Sequence, residues 1–214
     1  MKLRLVLMSD THHHPLSKWV IPDGDVFIHS GDLMRGKKLK AITAFNSELQ
    51  KLPHKHKLVV PGNHDWPFQR QREEAIAELT AATYLEDREI VIDGVKFYGS
   101  PWQPRFFNWA FNLDRGAPLK EKWDLIPEDT GVLITHGPPH GYGDRCDDGR
   151  VVGCEELRRA LDRVRPLVHV YGHIHEGYGK RFLRHANGAE TILVNASSCD
   201  SNYRPRQAPI IVDL

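Results

Sequence analysis

Five times along this chain a short apolar run stops abruptly at a small cluster built from Gly, Asp, Asn and His. The clusters are Asp10-Thr-His12, Gly31-Asp32, Gly62-Asn63-His64-Asp65, His136-Gly137 and Gly172-His173-Ile-His175. A brief apolar run bounded by turn residues reads as a buried strand, so each cluster falls where a strand ends. In an open α/β sheet, strand ends gather at one edge, which is where ligands bind. The pattern therefore constrains the fold to a sheet whose loops converge. It also gives those loops side chains that can hold something.

The rest of the chain fills in that frame. Strands are expected at Lys2 to Met8, Asp25 to His29, Leu58 to Val60, Gly131 to Thr135 and Leu167 to Tyr171. Three more close the chain, at Gly179 to Leu183, Thr191 to Val194 and Pro209 to Val212. Leu39, Ile42, Phe45, Leu49 and Leu52 recur at helical spacing between Lys37 and Leu52. So do Phe68, Arg72, Ala75, Ile76 and Leu79, and again Leu157, Ala160, Leu161 and Val164 within Glu155 to Val164. From Glu89 the period drops to two, and Asp93-Gly94 between Ile92 and Val95 predicts a hairpin with a type I′ turn. Strands and helices alternate in the first half and strands prevail in the second, which suggests helices outside a sandwich of two sheets. With no linker-like composition or repeat, residues 1–214 read as one domain. Pro101 to Asp129 is less regular. It carries Trp102, Phe106, Phe107, Trp109 and Phe111 among prolines, and reads as an ordered lid or flap.

Asp, His and Asn are oxygen and nitrogen donors suited to Mn, Fe, Zn, Ni or Co. In Asp10-Thr-His12 and His173-Ile-His175, alternate residues of an extended chain face one side and can reach one ion or two neighbouring ions. Taken singly, each cluster has a plain alternative as a turn or a polar loop. Donors behind five apolar runs at once do not. The three cysteines, Cys146, Cys154 and Cys199, form no CxxC, which argues against a disulfide framework or thiolate zinc and for a reducing compartment. Lys+Arg total 29 against 28 Asp+Glu, so no basic surface for a long nucleic acid is expected. No run approaches a membrane span, and charge interrupts the short apolar start, so a cytoplasmic location is expected.

The ordered set D-x-H, GD, GNH-[DE], H-G and GH-x-H resembles the calcineurin-like metallophosphoesterases, from Asp10 to His175. Ser100-Pro-Trp-Gln-Pro104, Thr135-His-Gly-Pro-Pro139 and Gly172-His-Ile-His-Glu-Gly-Tyr-Gly179 resemble the subgroup named for its metallophosphoesterase domain, known from animal brain proteins and bacterial relatives. The resemblance implies a four-layer α/β sandwich of two mixed β-sheets flanked by helices, with two divalent metal ions, Mn foremost and Fe, Ni, Co or Zn as alternatives. It assigns one metal to Asp10, His12, Asp32 and His175, the other to Asp32, Asn63, His136 and His173, and the catalytic histidine to His64. Both histidines of the last cluster are kept, although some members of the subgroup lack one. The stretch Gly31-Asp32-Leu33-Met34-Arg35-Gly36 is one residue shorter than in phosphoprotein phosphatases and lacks their extra Asp, which argues against protein phosphatase activity. Arg35 there either touches phosphate or is a solvated turn residue.

The chemistry so implied is hydrolysis of a phosphate ester. Two metals about 3.5–4 Å apart clamp the phosphate and ionise a bridging water. Asn63 offsets charge on the phosphoryl oxygens, and His64 stabilises the transition state or protonates the leaving alkoxide. A small or nucleotide-type phosphodiester is the expected substrate, with a phosphomonoester second. A metal-binding scaffold without catalysis and a nuclease are the rival classes, opposed by the complete motif set and by the balanced charge. Trp102 or Phe107 would stack on a base if the aromatic segment reads substrate, and would close a secondary core if it does not. His140, close behind the fourth cluster, is a further candidate to face the substrate. His29, His54, His56, His169 and His185 are expected to be structural or superficial.

Overall fold

The computed structural model describes residues 3–34, 36 and 38–214. Arg35 lies outside them, as do Lys2 and Lys37, the first residues of the expected strand and helix. The first half runs β1 (Arg4–Met8), β2 (Val26–His29), α1 (Lys40–Gln50), β3 (His56–Val59), α2 (Trp66–Arg70), α3 (Arg72–Glu78) and β4 (Thr83–Tyr84). Then come β5 (Arg88–Ile92), β6 (Val95–Ser100), β7 (Gln103–Pro104), β8 (Asn112–Leu113), α4 (Ala117–Asp124) and β9 (Val132–Thr135). The chain closes with α5 (Glu155–Val164), β10 (Val168–Tyr171), β11 (Gly179–Arg184), β12 (Glu190–Asn195) and β13 (Ile210–Asp213).

Two mixed sheets result, ordered β13-β1-β2-β3-β4 and β11-β12-β10-β9-β6-β5. In the first, β1 to β4 are parallel and β13 is antiparallel to β1. In the second, β12, β10, β9 and β6 are parallel, with β11 and β5 antiparallel at the edges. Alternation along each strand divides the apolar residues into three cores. Leu5, Leu7, Ile28 and Leu58 point inward against Phe97, Ile134, Val170 and Val194 of the second sheet. Their neighbours Val6, Met8, Phe27 and Val59 point outward onto Ile42, Phe45, Phe68 and Ala75 of α1 to α3. Leu133, Tyr171 and Leu193 of the second sheet face Leu119, Trp123, Leu157 and Leu161 of α4 and α5. Helices, sheet, sheet and helices therefore make four layers. Each fully buried leucine or isoleucine stabilises the stack by ~1.5–3 kcal/mol.

The Asp93-Gly94 hairpin forms as expected, with positive φ at both residues (47° and 81°). Other expectations need correction. The pattern from Phe68 to Leu79 is not one helix, because Gln71 leaves helical geometry (φ −135°, ψ 53°) and divides it into α2 and α3. The short edge strand β4 carried no alternating signal. Segment 101–129 is more regular than its aromatics suggested. It holds the parallel β7–β8 pair and α4, whose buried face consists of only Leu119 and Trp123. Its aromatics divide by burial: Phe111 is buried in the outer core, while Phe106 and Phe107 remain exposed.

Candidate metal centre

The strands deliver their polar clusters to one edge. Asp10 follows β1, Asp32 follows β2, Asn63 and His64 follow β3, His136 follows β9, and His173 and His175 follow β10. Backbone bonds tie neighbouring turns together within each sheet: Asp10 N–H donates to the Gly31 carbonyl (2.8 Å) and His12 N–H to Asp32 (3.0 Å) in the first, and Gly172 N–H to His136 (2.9 Å) in the second. Asp10, His12, Asp32 and His173 all take positive φ, at 53°, 45°, 55° and 68°. Such left-handed non-glycine residues cost about 1–3 kcal/mol each and persist only where the surroundings enforce them. Four of the seven expected ligands carry this strain.

Within the cluster, His12 Nε2 lies 3.1 Å from His175 Nε2, and His136 Nε2 lies 2.8 Å from Asn63 Oδ1. Asp10 Oδ1 is 3.4 Å from His175 Nε2 and 3.8 Å from His12 Nε2. Asp32 reaches both sides, with Oδ1 at 3.5 Å from His136 Nε2 and Oδ2 at 3.8 Å from both His12 Nε2 and His64 Nε2. Among the described residues, three triads have donors within 4.8 Å of one another: Asp10/His12/His175, His12/Asp32/His64 and Asp10/Asp32/His136. His173 is in none of these triads. Its ring stands beside that of His136, with centroids 5.1 Å apart, while its N–H donates to Asp10 Oδ2 at 2.9 Å.

The site fits divalent ions on its own chemistry. Asp10 Oδ1 is buried without a hydrogen-bond partner, although it faces two imidazoles. His136 Nδ1 donates to the Ser30 carbonyl and His175 Nδ1 to the Asp200 carbonyl, both at 2.9 Å, which turns each Nε2 into the cluster. That is the tautomer and orientation a ligating histidine needs. The electrostatics agree. Burial alone would lower His136 and His175, but Asp32 beside the first and Asp10 beside the second push each up to about 9. Burial would raise Asp10, yet His175, His136 and His12 hold its carboxyl well below the usual range. Asp32 is held low in the same way, mainly by His136. Burial lowers His12 to about 3 against the pull of Asp32 and Asp10. Two buried carboxylates facing one another's histidines make a place that demands positive charge.

Of the supporting residues, Ser197 and Tyr203 carried no sequence signal, and Asp65 belonged to the third cluster without an assigned role. Ser197 Oγ donates to Asp10 Oδ2 at 2.9 Å, and the Tyr203 ring meets His12 and His175 edge-on, with centroids at 4.8 and 5.3 Å. Asp65 collects the N–H groups of Gly62 (2.7 Å), Met34 (3.1 Å) and Leu33 (3.3 Å), which locks the second loop to the third. Burial, then the neighbouring Asp32, raises Asp65 to about 8. His29 and His169, expected to be structural, are buried and bond the hydroxyls of Thr11 and Thr135 next to the expected ligands. His54 and His185 are likewise buried and bonded, to the Pro22 carbonyl and to Thr191. His140 is exposed, 3.8 Å from Asp144, and does not line the cavity over the cluster.

That cavity holds about 510 Å³. Its floor includes His12, Asp32, Asn63, His64, His173 and His175, and its walls include Phe106, Phe107, Trp109, Ile174 and Tyr203. Arg105, Arg115 and Arg150 also line it, and a volume of this size with aromatic side chains above a polar floor suits a small organic ligand. No helix among the described residues is long and apolar enough to cross a membrane.

Comparison with known proteins gives a consistent picture. The calcineurin-like phosphoesterase family model matches residues 3–177. Metallophosphoesterase domain-containing protein 1 of Homo sapiens is 41% identical, over 99% of this chain and 71% of its own. A UPF0046 protein of Caenorhabditis elegans is 39% identical, over 98% of this chain and 74% of its own. Among solved structures, TT1561 of Thermus thermophilus superposes with a TM-score of 0.60 at 17% identity, over 91% of this chain and 89% of that one. GAP50, the anchor in the inner membrane complex of Plasmodium, gives 0.55 at 11% identity, over 100% and 81%. At such identities the two structures share the fold.

Proposed function

Because the chain belongs to the calcineurin-like phosphoesterase family, we propose that it hydrolyses small or nucleotide-type phosphodiesters at a dinuclear metal centre. Family membership makes it a metal-dependent phosphoric ester hydrolase; the diester, the ligand set and the metal are the finer reading. One ion would be held by Asp10, His12, Asp32 and His175, the other by Asp32, Asn63, His136 and His173, with Mn foremost. The observation that carries this is the reach of Asp32 to His12 on one side and His136 on the other. Residues 1–214 are taken as one domain, working in the cytoplasm.

When bound, two divalent ions supply Lewis acidity to the phosphoryl oxygens and acidify a water. The chain supplies the rest. Asn63 turns Oδ1 to His136, which leaves Nδ2 to donate to a phosphoryl oxygen as charge grows there. As the phosphorus–oxygen bond to the leaving group breaks, its electron pair stays on that oxygen. A proton held on His64 Nε2 neutralises it. Asp32 orients His64 by accepting its backbone N–H at 2.8 Å. The aromatic wall favours a diester with a flat group on one arm.

The test is a panel of phosphomonoesters and phosphodiesters assayed with Mn, Ni, Co, Mg and Zn on chelated and reconstituted protein. Diesters turned over fastest, with a transition metal required, are expected. Faster monoester turnover would reassign the substrate, and metal binding without any turnover would make the chain a scaffold.

A further inference from the structure

His64 sits on a loop, so pinning its backbone to Asp32 leaves its two side-chain torsions to be fixed by what the ring touches. Two rings do this. The His12 imidazole meets it edge-on with centroids 5.0 Å apart at 88°, and the Trp109 indole lies against it with centroids at 4.2 Å and a 47° tilt. Trp109 is itself held in place. Its neighbour Ala110 donates its N–H to the Asn63 carbonyl at 3.1 Å, and Phe111 is 1% exposed in the outer core. Phe111 N–H reaches Gln69 Oε1 of α2 at 3.2 Å, and its carbonyl accepts from Gln103 N–H at 3.0 Å. The backbone next to the indole is thus bonded to the loop that carries His64. Phe106 and Phe107 turn their rings on one another at the rim, with centroids 4.4 Å apart, and Phe106 stands edge-on to the His173 ring at 6.1 Å.

We propose that Trp109 is a positioning residue that holds the His64 imidazole in line with the leaving-group oxygen, an inference that rests on the proton-donor role proposed for His64. A misplacement of about 1 Å in a reacting group costs on the order of 100-fold in rate, so a ring clamp of this kind acts on kcat. It acts most where the leaving group most needs a proton.

The experiment compares wild type, Trp109→Ala, Trp109→Phe and His64→Ala, each reconstituted with Mn. The substrates are aryl methyl phosphodiesters whose leaving phenols run from p-nitrophenol to unsubstituted phenol. Every substrate carries one aromatic ring, so any stacking contribution is shared across the series. Trp109→Ala is expected to keep its metal content, to shift KM by the same factor across the series, and to lose about tenfold more kcat on the phenyl ester than on the p-nitrophenyl ester. Trp109→Phe should recover most of that loss, and His64→Ala should show the same trend more steeply. In a crystal structure of Trp109→Ala, the His64 ring should spread over more than one rotamer. A uniform loss across the series, a loss confined to KM, or an unchanged single rotamer would overturn the positioning role. If His64→Ala is steep while Trp109→Ala is flat, the proposal alone fails. If His64→Ala is itself flat, the proton-donor reading falls and the proposal with it.

Discussion

Replacing Gly62 with alanine would put a methyl group against the expected ligands Asp32 and His136 without changing any ligand's identity. The added Cβ would stand 2.3 Å from Asp32 Oδ1, 2.4 Å from the Asp32 backbone nitrogen and 2.7 Å from His136 Cε1. An ordinary carbon–oxygen contact is about 3.3 Å, so the Asp32 carboxylate or the Gly62 loop must give way by roughly 1 Å. A rotamer change cannot relieve the clash, because one of the crowded atoms is backbone. Gly62 has no positive φ, so the effect is one of space and not of backbone conformation. Metal–ligand distances tolerate only about 0.2 Å. Displacing the carboxylate that reaches both ions should weaken metal binding by about 100-fold, as loss of second-shell support does elsewhere. Overpacking adds a fold cost of about 1–3 kcal/mol, or roughly 3–10 °C in Tm. Isothermal titration of chelated protein with Mn reads the first effect, and a thermal melt the second. Gly137→Ala is the control, since its Cβ would meet only the Gln103 Cβ at 3.4 Å, an ordinary contact. Two ions bound to Gly62→Ala with wild-type affinity would refute the reasoning, because Asp32 would then not be the shared ligand.

Other outcomes follow from the same geometry. Asp32→Ala should lose both ions, whereas His64→Ala should retain both and lose about 10²–10⁴ in kcat; equal depletion in the two by metal analysis would mean that His64 is a ligand. Phe107 is 77% exposed, so Phe107→Ala should leave Tm unchanged. It should raise KM for a nucleotide diester about tenfold, consistent with a stacking contribution of ~1–3 kcal/mol. An equal rise for dimethyl-type diesters would deny it that role. Burial holds His169 at about 3, against 6.5 in the unfolded chain. Below pH 6.5 the unfolded state takes up the proton first, so stability present above that pH falls towards pH 3 by about 1.4 kcal/mol per unit. His169→Gln should flatten the urea-measured slope between pH 6.5 and 4, and an unchanged slope would contradict the assignment.

What the sequence disclosed divides along physical lines. Strand ends, the Asp93-Gly94 hairpin and the face of α5 are local patterns, written in the spacing of apolar and turn residues, and they formed as read. The places of the first and last clusters at the strand ends were legible for the same reason, because each sits directly behind an apolar run. Contacts made across long stretches of chain left no such trace. Ser197 reaches Asp10 across 187 residues, and no motif in Ser197-Ser198-Cys199-Asp200 hints at it. Tyr203 and the Asp200 carbonyl meet the site only because β12 brings that segment back beside β10. The break at Gln71 was hidden because apolar spacing continues through it. α4 was hidden because two apolar residues four apart are too few to establish a period. Trp109 was visible as one aromatic among several, but its partner, His64, could be identified only in three dimensions.

Under the proposed function, hydrolysis runs on two ions held by Asp10, His12, Asp32, Asn63, His136, His173 and His175. Its most direct test is the rate on bis(p-nitrophenyl) phosphate as exhaustively chelated protein is titrated with Mn, with bound metal counted at each point. Activity should be abolished by chelation and return in full as the second ion per chain binds. Full activity in the demetallated protein, or full recovery with a single ion, would contradict that reading.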